Sequence, residues 1–303
     1  MKWVMIVLLI FLIGLVGYLS YFVFVNFYSS PDRIELGYAG NPHINFSDSQ
    51  TKQFYPNMRF KTGRISYYFG NECPKEKTNN MVQAFRYLEN RTGGKLEFYE
   101  KNPGDISVRC GKEFEAGGGL YVAGEGGPIL IINGSLFNVI IEGQILLLYS
   151  ESCSYNIEVH ELLHVLGFDH SPDSRSIMYN VSNCNQVLAE DIVNEIIRLY
   201  SYESLPDLTF GEISASKKGM YLSMNFSVRN QGLADAENVK VALLADDSNR
   251  EEFDFDDIEL GSRRLFYFEN LRIPISTKNI TLVIEDGAEI YSENNIAVLN
   301  VKN

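Results

Sequence analysis

Three of the four histidines in this chain lie within eleven residues, in the segment HELLHVLGFDH at residues 160–170. Residues four apart stand one above the other on a helix, so His160 and His164 would present their imidazoles to one point. Gly167 can adopt the left-handed conformation that ends a helix and lets the chain double back. His170 would then reach the same point from another direction. The segment therefore predicts a helix, a tight reversal and three convergent ring nitrogens.

Three nitrogen ligands that leave a fourth position open are typical of a catalytic zinc site, where the metal lowers the pKa of a water to about 7. Glu161 neighbours His160 but would point past the metal, where its carboxylate can act as general base. The alternative is an amphipathic helix on which these side chains are ordinary surface residues. The clustering of His170 and Gly167 with the HExxH pattern argues against that alternative. We expect one catalytic Zn²⁺ held by His160, His164 and His170, with Glu161 as the catalytic base.

The N-terminal stretch from Trp3 to Tyr28 contains no charged residue. About 20 apolar residues are enough for a helix to cross a membrane, so residues 1–28 are predicted to form a transmembrane signal anchor. Lys2 is the only charged side chain before the span, and the positive-inside tendency places the N-terminus in the cytoplasm and the remainder outside, although Arg33 weakens this signal. The alternative is a cleaved signal peptide and a secreted protein.

Composition limits the class of partner and the redox compartment. The net charge is -13, which argues against nucleic acid, because a phosphate-binding face needs clustered Lys and Arg. Hydrophobic residues make up 45% and charged residues 21% of the chain, as in globular proteins. Outside the cell, the even set of Cys73, Cys110, Cys153 and Cys184 favours two disulfides. The residues alone leave all three pairings open.

The middle of the chain alternates between strand and helix patterns. Residues 29–58 are polar and rich in turn formers, which indicates a stalk or wrapping arm. Residues 59–203 have a strand, helix, strand order that favours a right-handed crossover and a mostly parallel sheet. Strands are expected at 65–69, 96–98 and 106–108, buried strands at 129–132 and 145–149, and helices around Met81–Leu88, at 156–166 and around Leu188–Leu199. The glycine-rich stretch 117–128 is expected as an edge strand or a loop where another backbone comes close.

After Leu205-Pro206 the pattern changes to short alternating segments with no helical period. Leu222, Met224 and Phe226 would point to one side, as in a β-sandwich, which we assign to residues 204–303. The acidic run from Asp246 to Glu259 is expected as a solvated loop. The predicted fold class is α+β: a mixed, mostly parallel twisted sheet with three helices, followed by an immunoglobulin-like β-sandwich, after an N-terminal transmembrane helix.

The segment HELLHVLGFDHS, followed by Ser176-Ile-Met178-Tyr179, resembles the long zinc signature and Met-turn of metzincins, and within them of the matrixin-like group. The resemblance covers roughly residues 60–202 and implies a metzincin-type zinc endopeptidase that acts on protein or peptide substrates. It places Met178 beneath the metal as an apolar floor. It also implies that an edge strand pairs with extended substrate. That strand would be formed by Leu120, Tyr121, Val122 and Ala123.

The same resemblance favours one pairing of the cysteines and leaves two metal questions. A Cys153–Cys184 disulfide would clamp the site from both sides, and a Cys73–Cys110 disulfide would join the ends of two neighbouring strands. His43 is the only other histidine and lies upstream of the domain, so the second, structural zinc of many matrixins has no obvious ligands. A Ca²⁺ ion is possible, but no motif supports one.

The C-terminal domain resembles the cell-adhesion-related β-sandwich modules of the CARDB type. The resemblance is carried by Pro206-Asp-Leu-Thr, Val228-Arg-Asn-Gln-Gly232, Ala234-Asp-Ala-Glu-Asn-Val and Glu293-Asn-Asn-Ile-Ala. Such modules bind, space or orient, which implies a possible cell-surface ligand. Two functions follow from the sequence: a membrane-anchored extracytoplasmic zinc endopeptidase, or a catalytically inactive adhesion or binding protein on a metzincin scaffold.

Overall fold

The computed structural model describes residues 2–28, 31–39, 52–112, 115–117, 120–148, 155–285 and 287–302. The chain divides into two compact units, one of Met1–Pro42, Asp207–Asn230 and Asp235–Asn303, the other of His43–Pro206 and Gln231–Ala234. The second unit contains a mostly parallel sheet with three helices, and the first contains an antiparallel β-sandwich. The predicted fold class is confirmed.

The N-terminal helix α1 spans Lys2–Val23 and passes into one π-helical turn at Phe24–Tyr28. The stretch Trp3–Asn26 contains an 18-residue window of mean hydropathy 2.6 with no buried residue, so it is long and apolar enough to cross a membrane. A signal sequence has the same properties. Strand β1 follows at Arg33–Ala39, inside the segment that the sequence predicted as a stalk or wrapping arm.

The second unit is built on a six-stranded sheet. Its elements are β2 (Met58–Phe60), β3 (Arg64–Phe69), α2 (Lys75–Arg91), β4 (Glu97–Glu100), β5 (Ile106–Cys110), β6 (Glu115–Gly117), β7 (Leu120–Tyr121), β8 (Gly124–Asn133), β9 (Asn138–Leu147), α3 (Asn156–Val165) and α4 (Glu190–Leu199). The order β2-β9-β5-β3-β4 is parallel throughout, and β8 pairs antiparallel with β9. The β3–α2–β4 crossover is the one that the alternating pattern predicted.

Helix α2 packs on this sheet through an aromatic stack. The ring of Phe85 lies 4.2 Å from that of Tyr67 on β3 and 4.7 Å from that of Phe98 on β4. The helix stops at Gly93 and Gly94, whose φ angles of 62° and 79° are left-handed and favour glycine. The apolar stripe of α2 thus fixes the neighbouring strands that lead towards the histidine helix.

The glycine-rich stretch differs from its predicted arrangement. Leu120–Tyr121 pairs with β6 in a separate two-stranded sheet, and among the described residues β8 forms the edge of the main sheet beyond β9. The run 129–132 was predicted to be buried, but Ile129 and Leu130 are 59% and 48% exposed. The prediction of a buried strand at 129–132 was wrong, because a strand with a neighbour on one side only leaves part of its apolar side chains uncovered. The substrate-binding role of residues 120–123 stays a prediction.

The sandwich consists of seven C-terminal strands and β1. The C-terminal strands are β10 (Leu208–Lys218), β11 (Tyr221–Asn230), β12 (Ala236–Ala245), β13 (Asn249–Ile258), β14 (Arg263–Arg272), β15 (Asn279–Glu285) and β16 (Ile296–Lys302). One sheet has the order β1-β16-β15-β12-β13 and the other β10-β11-β14. Leu222, Met224 and Phe226 of β11 are at most 2% exposed, as their alternation predicted.

The acidic run from Asp246 to Glu259 was predicted as a loop, and this was wrong. It contains β13, which pairs antiparallel with β12. Phe253 and Phe255 alternate with the acidic residues and face Phe266 of the other sheet at ring distances of 4.8 and 5.2 Å. One buried and one partly buried aromatic ring at period two stabilise a strand whose other face is charged and solvated.

Candidate metal centre

The histidine segment forms helix α3 and a Schellman reversal. The N–H of Gly167 donates to the His164 carbonyl at 2.9 Å, and that of Phe168 donates to the Leu163 carbonyl at 3.0 Å. Gly167 has a φ of 94°, and a Cβ there would lie 2.6 Å from Sδ of Met58. Only glycine satisfies both the backbone conformation and the close packing on β2. The reversal returns the chain so that His170 faces the helix again.

The three histidines converge. Nε2 of His164 lies 3.0 Å from Nε2 of His160 and 3.2 Å from Nε2 of His170. The His160 and His170 rings are each close to perpendicular to the His164 ring, with angles of 82° and 88°. His160 and His164 are each 6% exposed, whereas His170 is exposed. Two ligand positions are therefore buried and one borders solvent.

Main-chain carbonyls fix the tautomers of the two helical histidines. Nδ1 of His160 lies 2.6 Å from the Ile177 oxygen, and Nδ1 of His164 lies 2.8 Å from the Phe168 oxygen. A carbonyl only accepts, so each Nδ1 carries the hydrogen and each Nε2 offers a lone pair. Burial lowers the pKa of His160, and burial together with His160 lowers the pKa of His164 to about 4. Both imidazoles are neutral at pH 7, which is the form that binds metal.

This donor set fits a zinc ion. Tetrahedral zinc with Zn–N distances of about 2.0–2.1 Å holds its nitrogen ligands about 3.3 Å apart. The contacts from His164 Nε2 to His160 and His170, at 3.0 and 3.2 Å, are close to that value. Two nitrogen lone pairs at such distances repel each other unless a cation lies between them. The three atoms lie within 4.8 Å of one another, close enough to share one ion.

Glu161 is buried beside the edge strand. Its side chain is 5% exposed, and an added Cβ at Gly124 would lie 2.8 Å from Glu161 Cγ. An added Cβ at Gly126 would lie 2.3 Å from the Glu161 main-chain oxygen. The glycine-rich stretch was predicted as a place where another backbone comes close, and that backbone is α3. The sequence could not show that the contact is with Glu161.

Burial also sets the protonation of Glu161. It raises the pKa of this carboxyl to about 8, with a smaller contribution from the charge of Glu125, and a backbone hydrogen bond from Gly126 partly opposes the shift. A cation among the three imidazoles would lower this pKa again, because opposite charge favours the carboxylate.

Met178 lies in a turn that supports two of the histidines. Its side chain is fully buried, and its main-chain oxygen accepts a hydrogen bond from the Ser171 N–H at 2.8 Å, directly after His170. The preceding residue, Ile177, supplies the carbonyl that orients His160. The N–H of Ile177 donates to the Val187 carbonyl at 2.8 Å, which fixes the turn to the chain before α4. One turn therefore touches the histidine helix and the returning loop together.

The sequence reading missed a short segment that lines the same loop. The N–H of Phe54 donates to the Gly167 carbonyl at 2.9 Å, and the N–H of Asp169 donates to the Lys52 carbonyl at 2.9 Å. Nζ of Lys52 lies 2.6 Å from the Asp169 carboxylate. The ring of Phe54 is nearly parallel to that of His164, at 21° and 5.8 Å. No pattern in the polar region around these residues predicted this contact.

The remaining predicted site residues lie at the periphery or outside the described residues. Cys73 and Cys110 form a disulfide with a Cα–Cα distance of 4.9 Å, at the ends of β3 and β5. Cys184 is disulfide-bonded as well, but Cys153, its predicted partner, lies outside the described residues, as does His43. In the described part of the chain, the three histidines form the one cluster of metal-ligand type.

Comparisons with known proteins agree with this geometry. Residues 58–201 match the family model described as matrixin, a metallopeptidase family, and residues 205–297 match the CARDB model. No curated protein matches the sequence. Two solved structures that match are of the CARDB domain of one Pyrococcus furiosus protein. The crystal structure, in complex with di-metal ions, is 17% identical, with 32% of this chain and 88% of that chain covered and a TM-score of 0.27.

The solution structure of that domain is 18% identical, with 32% of this chain and 94% of that chain covered and a TM-score of 0.28. The family models divide the chain where the sequence pattern changes from alternating helices and strands to strands alone. The chain therefore carries a matrixin-family metallopeptidase domain in residues 58–201 and a CARDB domain in residues 205–297.

Proposed function

We propose that the chain is a membrane-anchored extracytoplasmic zinc endopeptidase. The observation that carries this proposal is the convergence of the Nε2 atoms of His160, His164 and His170. Nε2 of His164 lies 3.0 Å from that of His160 and 3.2 Å from that of His170. Carbonyl contacts at Nδ1 of His160 and His164 orient two of these atoms towards the shared point. A bound Zn²⁺ would supply a water of lowered pKa and an electrophile for the scissile carbonyl.

Glu161 is the proposed general base. Its carboxylate, buried beside β8, takes the proton from the attacking water and returns it to the leaving amine. Because both transfers use one group, its pKa must lie near the working pH, and burial raises it from the ordinary carboxylate range. The hydrogen bond from the Gly126 main chain limits the rotation of the carboxylate.

Strand β8 is the proposed binding edge for extended peptide. Among the described residues, β8 pairs with β9 alone, so no strand lies along its other edge. Gly124 and Gly126 lie against Glu161, which brings this edge next to the proposed base. A substrate strand that adds to β8 would carry its peptide bond towards the histidines. The edge at 120–123 implied by the family resemblance thus moves to 124–127.

Helix α1 is the proposed anchor. The apolar stretch of 24 residues from Trp3 to Asn26 would span about 36 Å as a helix, against about 30 Å of hydrocarbon. With Lys2 on the cytoplasmic side, the metallopeptidase and CARDB domains lie outside. The protein purified in detergent would have an intact N-terminus by mass spectrometry. A mature N-terminus at or beyond residue 20 would instead mean a secreted enzyme.

A matched pair of glutamate variants tests the chemistry. Glu161→Gln should keep one zinc per chain but reduce cleavage of an unfolded protein substrate by about 10²–10⁴-fold, because the base is lost and the ligands are not. Glu158→Gln is the control, since Glu158 lies one turn earlier on α3 and is also buried, at 5% exposed. It should retain most activity. A chelator should abolish cleavage by the wild type, and added zinc should restore it.

Two outcomes would contradict the proposal. If Glu161→Gln cleaves as fast as the wild type, the assignment of the base is wrong. If the purified chain with its disulfides formed binds no zinc and cleaves nothing, the domain is a catalytically inactive scaffold with an adhesive or binding role. A possible cell-surface ligand of the CARDB domain would then become the main question.

A further inference from the structure

The end of the N-terminal helix is attached to one end of the β-sandwich. Asn26 is 3% exposed, and its Oδ1 accepts a hydrogen bond from the Met220 N–H at 2.9 Å. Met220 lies in the turn between β10 and β11. An added Cβ at Gly219, the neighbouring turn residue with a φ of 62°, would lie 2.3 Å from Asn26 Oδ1. The turn is therefore shaped to receive the last residue of the apolar span.

A buried ion pair makes a second attachment at the same end. Nζ of Lys217 is 2.9 Å from the Asp32 carboxylate and donates to the Ile275 carbonyl at 3.0 Å. The Lys217 side chain is 2% exposed, and the Asp32 N–H donates to the Lys217 carbonyl at 2.7 Å. Asp32 is 25% exposed, but losing its carboxylate would leave the buried Lys217 ammonium without an opposite charge, which is costly. The loop that contains Ile275 is thereby held beside the end of the helix.

These attachments place that loop at the depth of the membrane surface. Asn26 is the last residue of a 24-residue apolar stretch, whose length of about 36 Å already exceeds the hydrocarbon thickness of about 30 Å. Asn26 must then lie in the headgroup region. The Ile273 N–H donates to the Met220 carbonyl at 2.9 Å, so the loop that begins there shares the level of Asn26.

The exposed chemistry of this end suits a lipid interface. Ile275 is 46% exposed at the tip of the loop, between the exposed residues Pro274 and Ser276. Arg272 and Lys278 are exposed on either side of it. The nearby Asp246 carboxylate is engaged, since it accepts hydrogen bonds from the main-chain N–H groups of Lys278 and Asn279. An apolar tip flanked by basic side chains is the pattern that binds at the boundary of headgroups and acyl chains.

We propose that this end of the sandwich, comprising the Lys218–Met220 turn and the loop Arg272–Lys278, rests on the bilayer that α1 crosses. Ile275 enters the interface, and Arg272 and Lys278 contact the phosphates of anionic lipids. This rests on the proposed anchoring. This end of the CARDB domain then lies at the membrane surface.

Tryptophan fluorescence in vesicles tests this directly, because Trp3 is the single tryptophan of the chain. The full chain is reconstituted into vesicles that contain anionic lipid and lipids brominated near the headgroup end of the acyl chains. In a Trp3→Phe background, Ile275→Trp should be quenched about twofold, since tryptophan favours the interface. Tyr267→Trp is the matched control, being 60% exposed on β14 but about 17 Å further along the strand. It should not be quenched.

The outcomes separate the two proposals. Native Trp3 in the unchanged chain reports on the anchor. If brominated lipids leave Trp3 unquenched, anchoring fails and the surface proposal falls with it. If Trp3 is quenched but Ile275→Trp is not, the anchor stands and the lipid contact is overturned. Equal quenching of Ile275→Trp and Tyr267→Trp also overturns it, because a different face would then meet the bilayer.

The basic residues are tested in the same vesicles. Adding Arg272→Glu and Lys278→Glu to Ile275→Trp should reduce the quenching in anionic vesicles to the level found in neutral ones. Both side chains are exposed, so the substitutions leave the core intact. Unchanged quenching would show that the basic side chains make no contact with lipid phosphate, against the proposal.

Discussion

Nδ1 of His160 lies 2.6 Å from the main-chain oxygen of Ile177, the residue before the buried Met178. The helix that carries two metal-ligand candidates is thus hydrogen-bonded to the turn whose methionine lies in the core. Main-chain oxygens in turns are positioned by the side chains packed next to them. The orientation of the His160 ring therefore depends on how Met178 fills its site.

Truncation of Met178 should weaken zinc binding. Met178→Ala removes a fully buried side chain and should lower the free energy of unfolding by about 2–5 kcal/mol. The turn would then shift. We expect zinc affinity to fall about tenfold, as when a group that orients a metal ligand is lost. Met178→Leu conserves volume and should cost less than about 1.5 kcal/mol. Competition with a chelator measures the zinc affinity. Equal zinc affinity in Met178→Ala and Met178→Leu would show that the packing of Met178 does not affect the metal site.

Neighbouring glycines in β8 should respond differently to alanine. A Cβ at Gly126 would lie 2.3 Å from the Glu161 oxygen and 2.9 Å from its Cα, whereas Gly127 has no atom within 4 Å of an added Cβ. Gly126→Ala must push β8 away from α3. Since misplacement by about 1 Å can cost about 10²-fold in rate, we expect a loss of that order in kcat/KM. Gly127→Ala should stay within a few fold of the wild type in steady-state assays of peptide cleavage.

The Phe54 ring should contribute to the metal site without touching the metal. Phe54→Ala uncovers one face of His164, from which it is 5.8 Å distant, and should lower zinc affinity about tenfold, in the range seen for groups behind ligands. Tyr55→Ala removes a neighbouring ring that is 49% exposed, and affinity should be unchanged. Titration with a zinc indicator distinguishes them. A similar loss in both variants would mean general destabilisation of the segment.

The sandwich should be less stable at neutral than at acidic pH through Asp207. This residue is fully buried, Asn294 donates to its Oδ1 at 3.0 Å, and burial raises its pKa to about 6. When the pKa of a carboxyl is higher in the folded state, its contribution to folding stability is fully present below the unfolded pKa of about 3.9. That contribution is lost as the pH rises through the folded pKa. The shift of about two units corresponds to about 2–3 kcal/mol.

Asp207→Asn removes that penalty. Relative to the wild type, the variant should gain stability at pH 7 and not at pH 4, as measured by hydrogen exchange in β10 and β11 at each pH. Asp254→Asn is the control, because the Asp254 side chain is 76% exposed. A difference between wild type and Asp207→Asn that is the same at both pH values would show that Asp207 is already charged in the folded state.

Local chemistry made the centre of the site predictable. The spacing of His160 and His164 determines which face of a helix they share, and Gly167 marks the reversal, so neither feature depends on distant parts of the chain. The alternation of Leu222, Met224 and Phe226 specified a strand for the same reason. The Schellman bonds at Gly167 are local as well.

Features that depend on distant contacts could not be predicted. The position of the sheet edge at β8 depends on Gly124 and Gly126 meeting Glu161, about 35 residues away in sequence. In the described part of the chain no strand lies beyond β8, so the Ile129 side chain is exposed. The apolar composition of β8 gives no sign of this exposure. Likewise, the polar sequence around Phe54 gives no sign of the loop that it covers.

Strand β1 pairs antiparallel with β16, from Arg33 opposite Lys302 to Ala39 opposite Ala297. The Glu35 and Lys302 side chains that join these strands are 267 positions apart, and the whole metallopeptidase domain lies between them. A ribosome synthesises β1 long before β16, so the sandwich cannot close until translation has passed residues 58–201. Closing so long a loop slows the last step of folding. The extra loop length adds little to the entropic cost of closure at equilibrium. The metallopeptidase domain therefore has time to fold, and its cysteines to be oxidised, before the two ends of the chain are joined.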